Sequence, residues 1–313
     1  MNIMTGRERM EAVFAGRIPD KVPHFELVFQ IPELAFGKPW PDWTKYDLQT
    51  QKGRETFMWD HFEIWDMIIE RYGWDAVHIP HIFIFQDCSV VRRARDHFGN
   101  RAMIFDFNGS GTFWMPQGKD MMDFAVMIFE EPEKTHELAR QKMRDSIELA
   151  KQQIDSGVDF IVINSDYGYN MGPFVSPDKF REIVTPYLTE IVGEIHRLGS
   201  KAILHSDGDL RLVLDQLVST GLDGYQSIDP QGNMDIAEVK RQYGDKLILM
   251  GNVKTALLQY VDESLIREAV DYCMDAAKPG GRYIFSSSNC IFLGLPLESY
   301  HVMLDEYEKK AWY

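Results

Sequence analysis

Residues 160–210 read FIVINSDYGYNMGPFVSPDKFREIVTPYLTEIVGEIHRLGSKAILHSDGDL. A short apolar run ends on Asn164, a polar turn follows, an amphipathic stretch of helical period comes next, and a second apolar run ends on His205. That order is strand, helix, strand, and a helical crossover leaves the two strands parallel. Ser176 suits the helix N-cap, Pro177 the first helical position and Gly199 the stop.

The unit recurs downstream. Residues 224–228, 246–250 and 282–286 are short apolar runs followed by polar residues, with amphipathic segments between them. Upstream, residues 22–28 and 75–80 read as two more strands, preceded by a helix that Thr5 and Glu8 can close with a capping box. The stretch 82–107 has turn signals and alternation, which predict a β-hairpin-like excursion. Seven or eight parallel strands alternating with helices favour a closed (β/α)8 TIM barrel over an open doubly wound sheet. The expected fold is thus a single domain over 1–313, a barrel with an N-terminal helical and hairpin elaboration. No GxGxxG follows the first strand, so the dinucleotide-binding signal is missing.

Composition narrows the function. Hydrophobic residues make up 45% of the 313, enough for a sizeable core. No eighteen-residue apolar run occurs and the start is charged and helical, so neither a membrane span nor a secretory leader is expected. Cys88, Cys273 and Cys290 are odd in number and far apart. They suit a reducing, cytoplasmic setting and no disulfide framework. A net charge of −15 disfavours nucleic-acid phosphates and anionic membranes, leaving small molecules and protein partners.

In a barrel of this kind the residues just past each strand share one pocket. Those positions hold Asn164, Asp166 and Tyr167, then His205 and Asp207, then Gln226 and Asp229, then Asn252, then Asn289 and Cys290. His205 and Asp207 fall on one side by strand alternation, an arrangement for a general acid beside an orienting or metal-binding imidazole. Each position also has a plain reading: Asp166 and Asn252 as turn residues, His205 as a satisfied core side chain, Cys290 as a small buried hydrophobe. Six of the seven tryptophans lie in the first 130 residues, with Phe25, Phe29, Phe36, Phe83 and Phe85. Most belong to a core, and an aromatic lid over the pocket would suit a small ring-bearing or methylated substrate.

Five segments resemble the uroporphyrinogen decarboxylase superfamily, which includes corrinoid-dependent methyltransferases: TGRERMEAVFAGRIPDKVP, DYGYNMGPFVSPDKFREIVTPYL, KAILHSDGDL, GNVKTALL and GGRYIFSSSNCIFLGLPLESYHVML. The resemblance implies a (β/α)8 barrel, a homodimer and a pocket at the strand ends. Decarboxylases of this superfamily carry an arginine-rich segment after the first strand that binds a polyanionic tetrapyrrole. Here the segment reads HFELVFQIPELAF, without arginine. The thiol-using methyltransferases carry a His-x-Cys pair and a later cysteine as zinc ligands. His205 matches the histidine, Asp207 stands at the first cysteine, and Cys290 lies near the second, so a zinc site of His205, Asp207 and Cys290 is implied.

The expectation is an enzyme moving a methyl group from a small methoxylated or methylamine-type compound to a corrinoid protein. Asp207, His205 and Asp166 would be catalytic, and Asn164, Tyr167, Gln226, Asp229, Asn252 and Asn289 would position substrate. Decarboxylation of a small aromatic or pyrrole acid, or of uroporphyrinogen III, stays open as a second activity. A non-catalytic ligand-binding barrel stays open as a third reading.

Overall fold

The computed structural model describes residues 3–80, 89–109 and 111–313. Strands β1 (Ala76–His78), β2 (Met103–Gly109), β3 (Phe160–Asn164), β6 (Lys201–Ser206), β7 (Gly224–Ser227), β8 (Ile248–Val253) and β9 (Tyr283–Ser287) form one curled sheet in that order, every pair parallel. A two-residue antiparallel ribbon, β4 (Gly168–Tyr169) with β5 (Gly172–Pro173), stands on the loop after β3. Helices α1 (Gly6–Phe14), α2 (Pro32–Phe36), α3 (Gln51–Tyr72), α4 (Ser89–Phe98), α5 (Asp120–Glu130) and α6 (Pro132–Ser156) belong to the first half. The second half adds α7 (Pro177–Ile183), α8 (Thr185–Arg197), α9 (Leu214–Ser219), α10 (Ile236–Tyr243), α11 (Glu263–Ala277) and α12 (Leu297–Lys310).

The sheet closes through residues 22–29. His24 bridges Phe285 in parallel, Phe285 N donates to Pro23 O at 2.8 Å, and on the other side Asp75 N donates to His24 O at 2.8 Å. This segment therefore fills the eighth position between β9 and β1, and the structure is a (β/α)8 barrel.

The end of the barrel where the strands begin is plugged. Rings of Phe25, Phe105 and Phe160 pack within 6.0 Å of one another, and Phe14 of α1 lies 5.3 Å from Phe160. The Thr5–Glu8 capping box starts α1 as its spacing predicts. Arg9 on this helix is 5% exposed and bonds Asp20, Asp75 and Met4 O, tying α1 to the start of β1. Aromatic rings and this ion cluster thus fill the end where the strands begin.

Two sequence expectations are corrected. The stretch 82–107 is no hairpin in its described part: Ser89–Phe98 is helix α4, and β2 begins at Met103. Val90, Val91, Ala94 and Phe98 are its buried face, a helical spacing that the turn signals around it masked. Phe83, Phe85 and Cys88 lie outside the described residues. The single helix expected from Ser176 to Gly199 is two, broken at Val184, because Pro186 has no N–H for a continuous ladder.

Candidate functional site

Strand alternation sets the site. Along β6, Ile203, His205 and Asp207 follow one another at the two-residue spacing of one strand face, and Asn164 at the end of β3 is the register partner of His205. Asp166 continues from β3. Asp166 Oδ1 lies 3.8 Å from His205 Nε2 and accepts from Asp207 N at 3.1 Å. One ligand-type atom from each of Asp166, His205 and Asp207 lies within 4.8 Å of the others.

The imidazole is oriented from behind. His205 Nδ1 meets Gln226 Oε1 in a short contact, while Gln226 Nε2 donates to Ser287 O at 3.4 Å. A carbonyl only accepts, so the amide nitrogen of Gln226 faces Ser287 and its oxygen faces His205. Nδ1 then carries the hydrogen, and Nε2 turns its remaining valence toward two carboxylates. Such a set can share a proton or a metal ion. Zinc bonds of about 2.0–2.2 Å place its ligands about 3.5 Å apart, so side-chain movement of about 1 Å would close this set on it.

Asp207 is the strained member. Burial pushes its carboxyl above the usual carboxylate range, and the nearby charges of Asp166 and Asp229 push the same way against His205. Asn289 Nδ2 donates to its Oδ2 at 2.5 Å. Its Oδ1 is buried without a completed hydrogen bond. Ser227 Oγ, equally unpartnered, lies near enough to favour the ionised form but does not reach hydrogen-bond geometry. Asp166 is much more open, with 41% of its side chain exposed, and it faces a cleft of about 820 Å³. Asn164, Phe113, Trp114, Phe124 and Met127 also line this cleft.

Other expected site residues are placed differently. Tyr167 is fully buried, its hydroxyl 2.8 Å from Thr112 Oγ1 and its ring packed on Phe174 and Phe180, so it supports the loop from below. Asn252 turns outward to α11, donating to Ile228 O at 2.7 Å and accepting from Cys273 Sγ at 3.3 Å. Gly251 redirects it: its φ of +131° breaks strand alternation, and a Cβ there would stand 2.7 Å from Ser227 O. Asp229 is buried and accepts from Gly208 N and Gln231 N, fixing the turn that carries Asp207.

The ligand set implied by the resemblance is gathered only in part. Among the described residues Cys290 is not in the cluster, and Asp166 takes its place beside His205 and Asp207. Burial, with the negative charges of Glu26 and Asp207, raises the Cys290 thiol to about 11.

Glu26 escaped the sequence reading. It is fully buried in the closing segment, and its carboxylate accepts from Ser287 N at 3.0 Å and Ser287 Oγ at 2.6 Å, standing in for a backbone acceptor at the barrel seam. A charged residue inside the apolar run VPHFELVF was the available signal. Burial raises its pKa to about 8. The folded protein therefore holds a proton that the unfolded chain has released, and this contribution to stability is lost as pH rises from about 4.5 to about 8. Denaturant midpoints are expected to fall across that window, and E26Q is expected to flatten the fall; equal slopes for both proteins would contradict the assignment.

Comparisons with known proteins bear on this site. The family model described as uroporphyrinogen decarboxylase (URO-D) matches residues 90–309. A uroporphyrinogen decarboxylase of Coxiella burnetii is 23% identical over 246 residues, covering 76% of this chain and 65% of that protein. One of Prochlorococcus marinus is 26% identical over 224 residues, covering 69% and 61%. The chain thus spans just under two thirds of the length of these relatives. Among solved structures, a methyltransferase from Methanosarcina mazei superposes with a TM-score of 0.74 at 16% identity, covering 98% of this chain and 99% of the other. That likeness shows the fold.

Proposed function

This chain belongs to the uroporphyrinogen decarboxylase family, and from that premise we propose that it is a methyltransferase carrying a methyl group from a small methoxylated or methylamine-type compound to a corrinoid protein. The observation that carries the reading is the Asp166, His205 and Asp207 group, gathered at the strand ends beside a cleft of aromatic and methionine side chains. Methyl transfer needs a proton or Lewis acid for the leaving group and an apolar wall for the methyl donor.

The step balances simply. A reduced corrinoid on the partner would supply the electron pair for the new bond to the methyl carbon, the bond from that carbon to the donor's oxygen or nitrogen would break, and Asp207 would give its proton to the leaving atom. Asp207 is suited to this because burial keeps a proton on it at higher pH than an ordinary carboxyl. Gln226 fixes the His205 ring, whose Nε2 lies 3.8 Å from Asp166 Oδ1, and the Asp207 N–H donates to that same oxygen. Asn289 keeps Asp207 turned toward them.

A divalent ion, zinc by the resemblance, would be held by Asp166, His205 and Asp207, and the unpartnered Asp207 Oδ1 is consistent with such a ligand. It would supply Lewis acidity for the leaving oxygen. The absence of arginine from residues 24–36 favours this activity over tetrapyrrole decarboxylation, since a polyanion would meet a chain of net charge −15.

Mixing the protein with reduced cobalamin and a panel of methoxy-aromatics and methylamines tests the proposal. Methyl-cobalt absorbance is the expected result. Carbon dioxide released from an aromatic or pyrrole acid with no methyl-cobalt would establish the decarboxylase instead. Metal analysis of the same preparation decides between the two routes: near one zinc per chain would put Lewis acidity in place of the Asp207 proton, and less than about a tenth would remove the metal and leave the proton route.

A further inference from the structure

The cleft holds a charge that the chemistry above does not use. Lys142, on α6, is half-buried in its wall with Nζ 5.0 Å from the centroid of the Trp114 ring. Its basic neighbours on the same helix are neutralised: Arg140 and Arg144 both pair with Glu137. Lys142 has no carboxylate within ion-pair distance among the described residues, although acidic residues outnumber basic ones by 48 to 33 in the chain. An unpaired cation held over an aromatic face inside a recess is poised to meet an anion from outside.

The rest of the wall says what that anion is attached to. Trp114, Phe113, Phe124, Met127 and Leu138 offer flat and apolar surface. Among the described residues Lys142 is the one cation of a lining that also holds the carboxylates of Asp120 and Asp166, so it can match a single negative group brought against it, and a carboxylate is charged at neutral pH whereas a phenol is not. We propose that Lys142 and Trp114 form a specificity subsite for the carboxylate of a small aromatic acid, whose ring lies along Trp114 and Phe124 and whose reacting group points to Asp166. Only the identity of that reacting group rests on the methyltransferase reading.

Binding, measured with the full chain and no corrinoid, separates the two ideas. The probes are 4-methoxybenzoate and its neutral amide, followed by calorimetry. The wild-type protein is expected to bind the acid about tenfold or more tightly than the amide. K142Q should bring the two within about twofold, and K142R should restore most of the preference. Equal binding of acid and amide by the wild type, no measurable binding of the acid, or a preference that survives in K142Q would overturn the subsite. An acid preference that depends on Lys142, found together with no methyl transfer, would support the subsite and count against the methyltransferase reading.

Discussion

Replacing Asp207 with asparagine is expected to slow methyl transfer by about 10²–10⁴-fold with little change in KM, the range for losing a positioned general acid. The amide keeps the size of the carboxyl and can still meet Asn289 through its oxygen, so binding should survive while proton delivery does not. Stability should hold or rise. A carboxyl whose pKa is raised by burial favours the protonated, neutral form, and a permanently neutral group removes that cost at higher pH. The same proton gives a pH signature. The wild-type rate should fall as pH climbs through the raised pKa of Asp207, and D207N should lack that limb. A D207N rate within a factor of about three of wild type would place the acid elsewhere.

The largest effect on stability is expected from Arg9→Ala, at about 3–5 kcal/mol, because one partner of a buried ion cluster is removed. Arg9 joins Asp20 and Asp75, all nearly inaccessible to water, and also satisfies Met4 O. Burial raises Asp75 to about 6 even with Arg9 beside it, so without the guanidinium the charged form has little to hold it. Arg7→Ala is the natural comparison. Its partner Asp159 keeps Arg95 and the Ile104 N–H, so the loss should be about 1 kcal/mol. Denaturant unfolding of the two variants tests both figures, and similar losses would mean that burial is not what makes Arg9 matter.

Much of this architecture was readable beforehand because parallel strands buried on both faces appear as apolar runs, and barrels place the residue after each run at the mouth. Asp166, His205 and Asp207 were found that way, and the structure brings them together. Alternation also explains what was misread. Tyr167 follows Asp166 by one residue and so takes the opposite side, into the core. Asn252 escaped the rule through the backbone of Gly251, whose positive φ has no signature in side-chain pattern. The ion cluster at the sealed end and the Glu26 seam were invisible for another reason. Each joins residues far apart in the chain, Glu26 to Ser287 and Arg9 to Asp75, and local periodicity carries no information about such partners. Helix α4 was within reach, since Val90, Val91, Ala94 and Phe98 share a helical face.

That the imidazole and the two acids act as one unit is best tested by methyl-transfer rates of the wild type, H205Q, D207N and the double variant, measured on the same methoxy-aromatic donor with reduced cobalamin. A double variant about as slow as the slower single one is the expected outcome, because groups sharing one proton or ion cannot be lost twice. Losses that multiply, each single variant contributing its full factor in the double, would mean that His205 and Asp207 work independently and that the shared site does not exist.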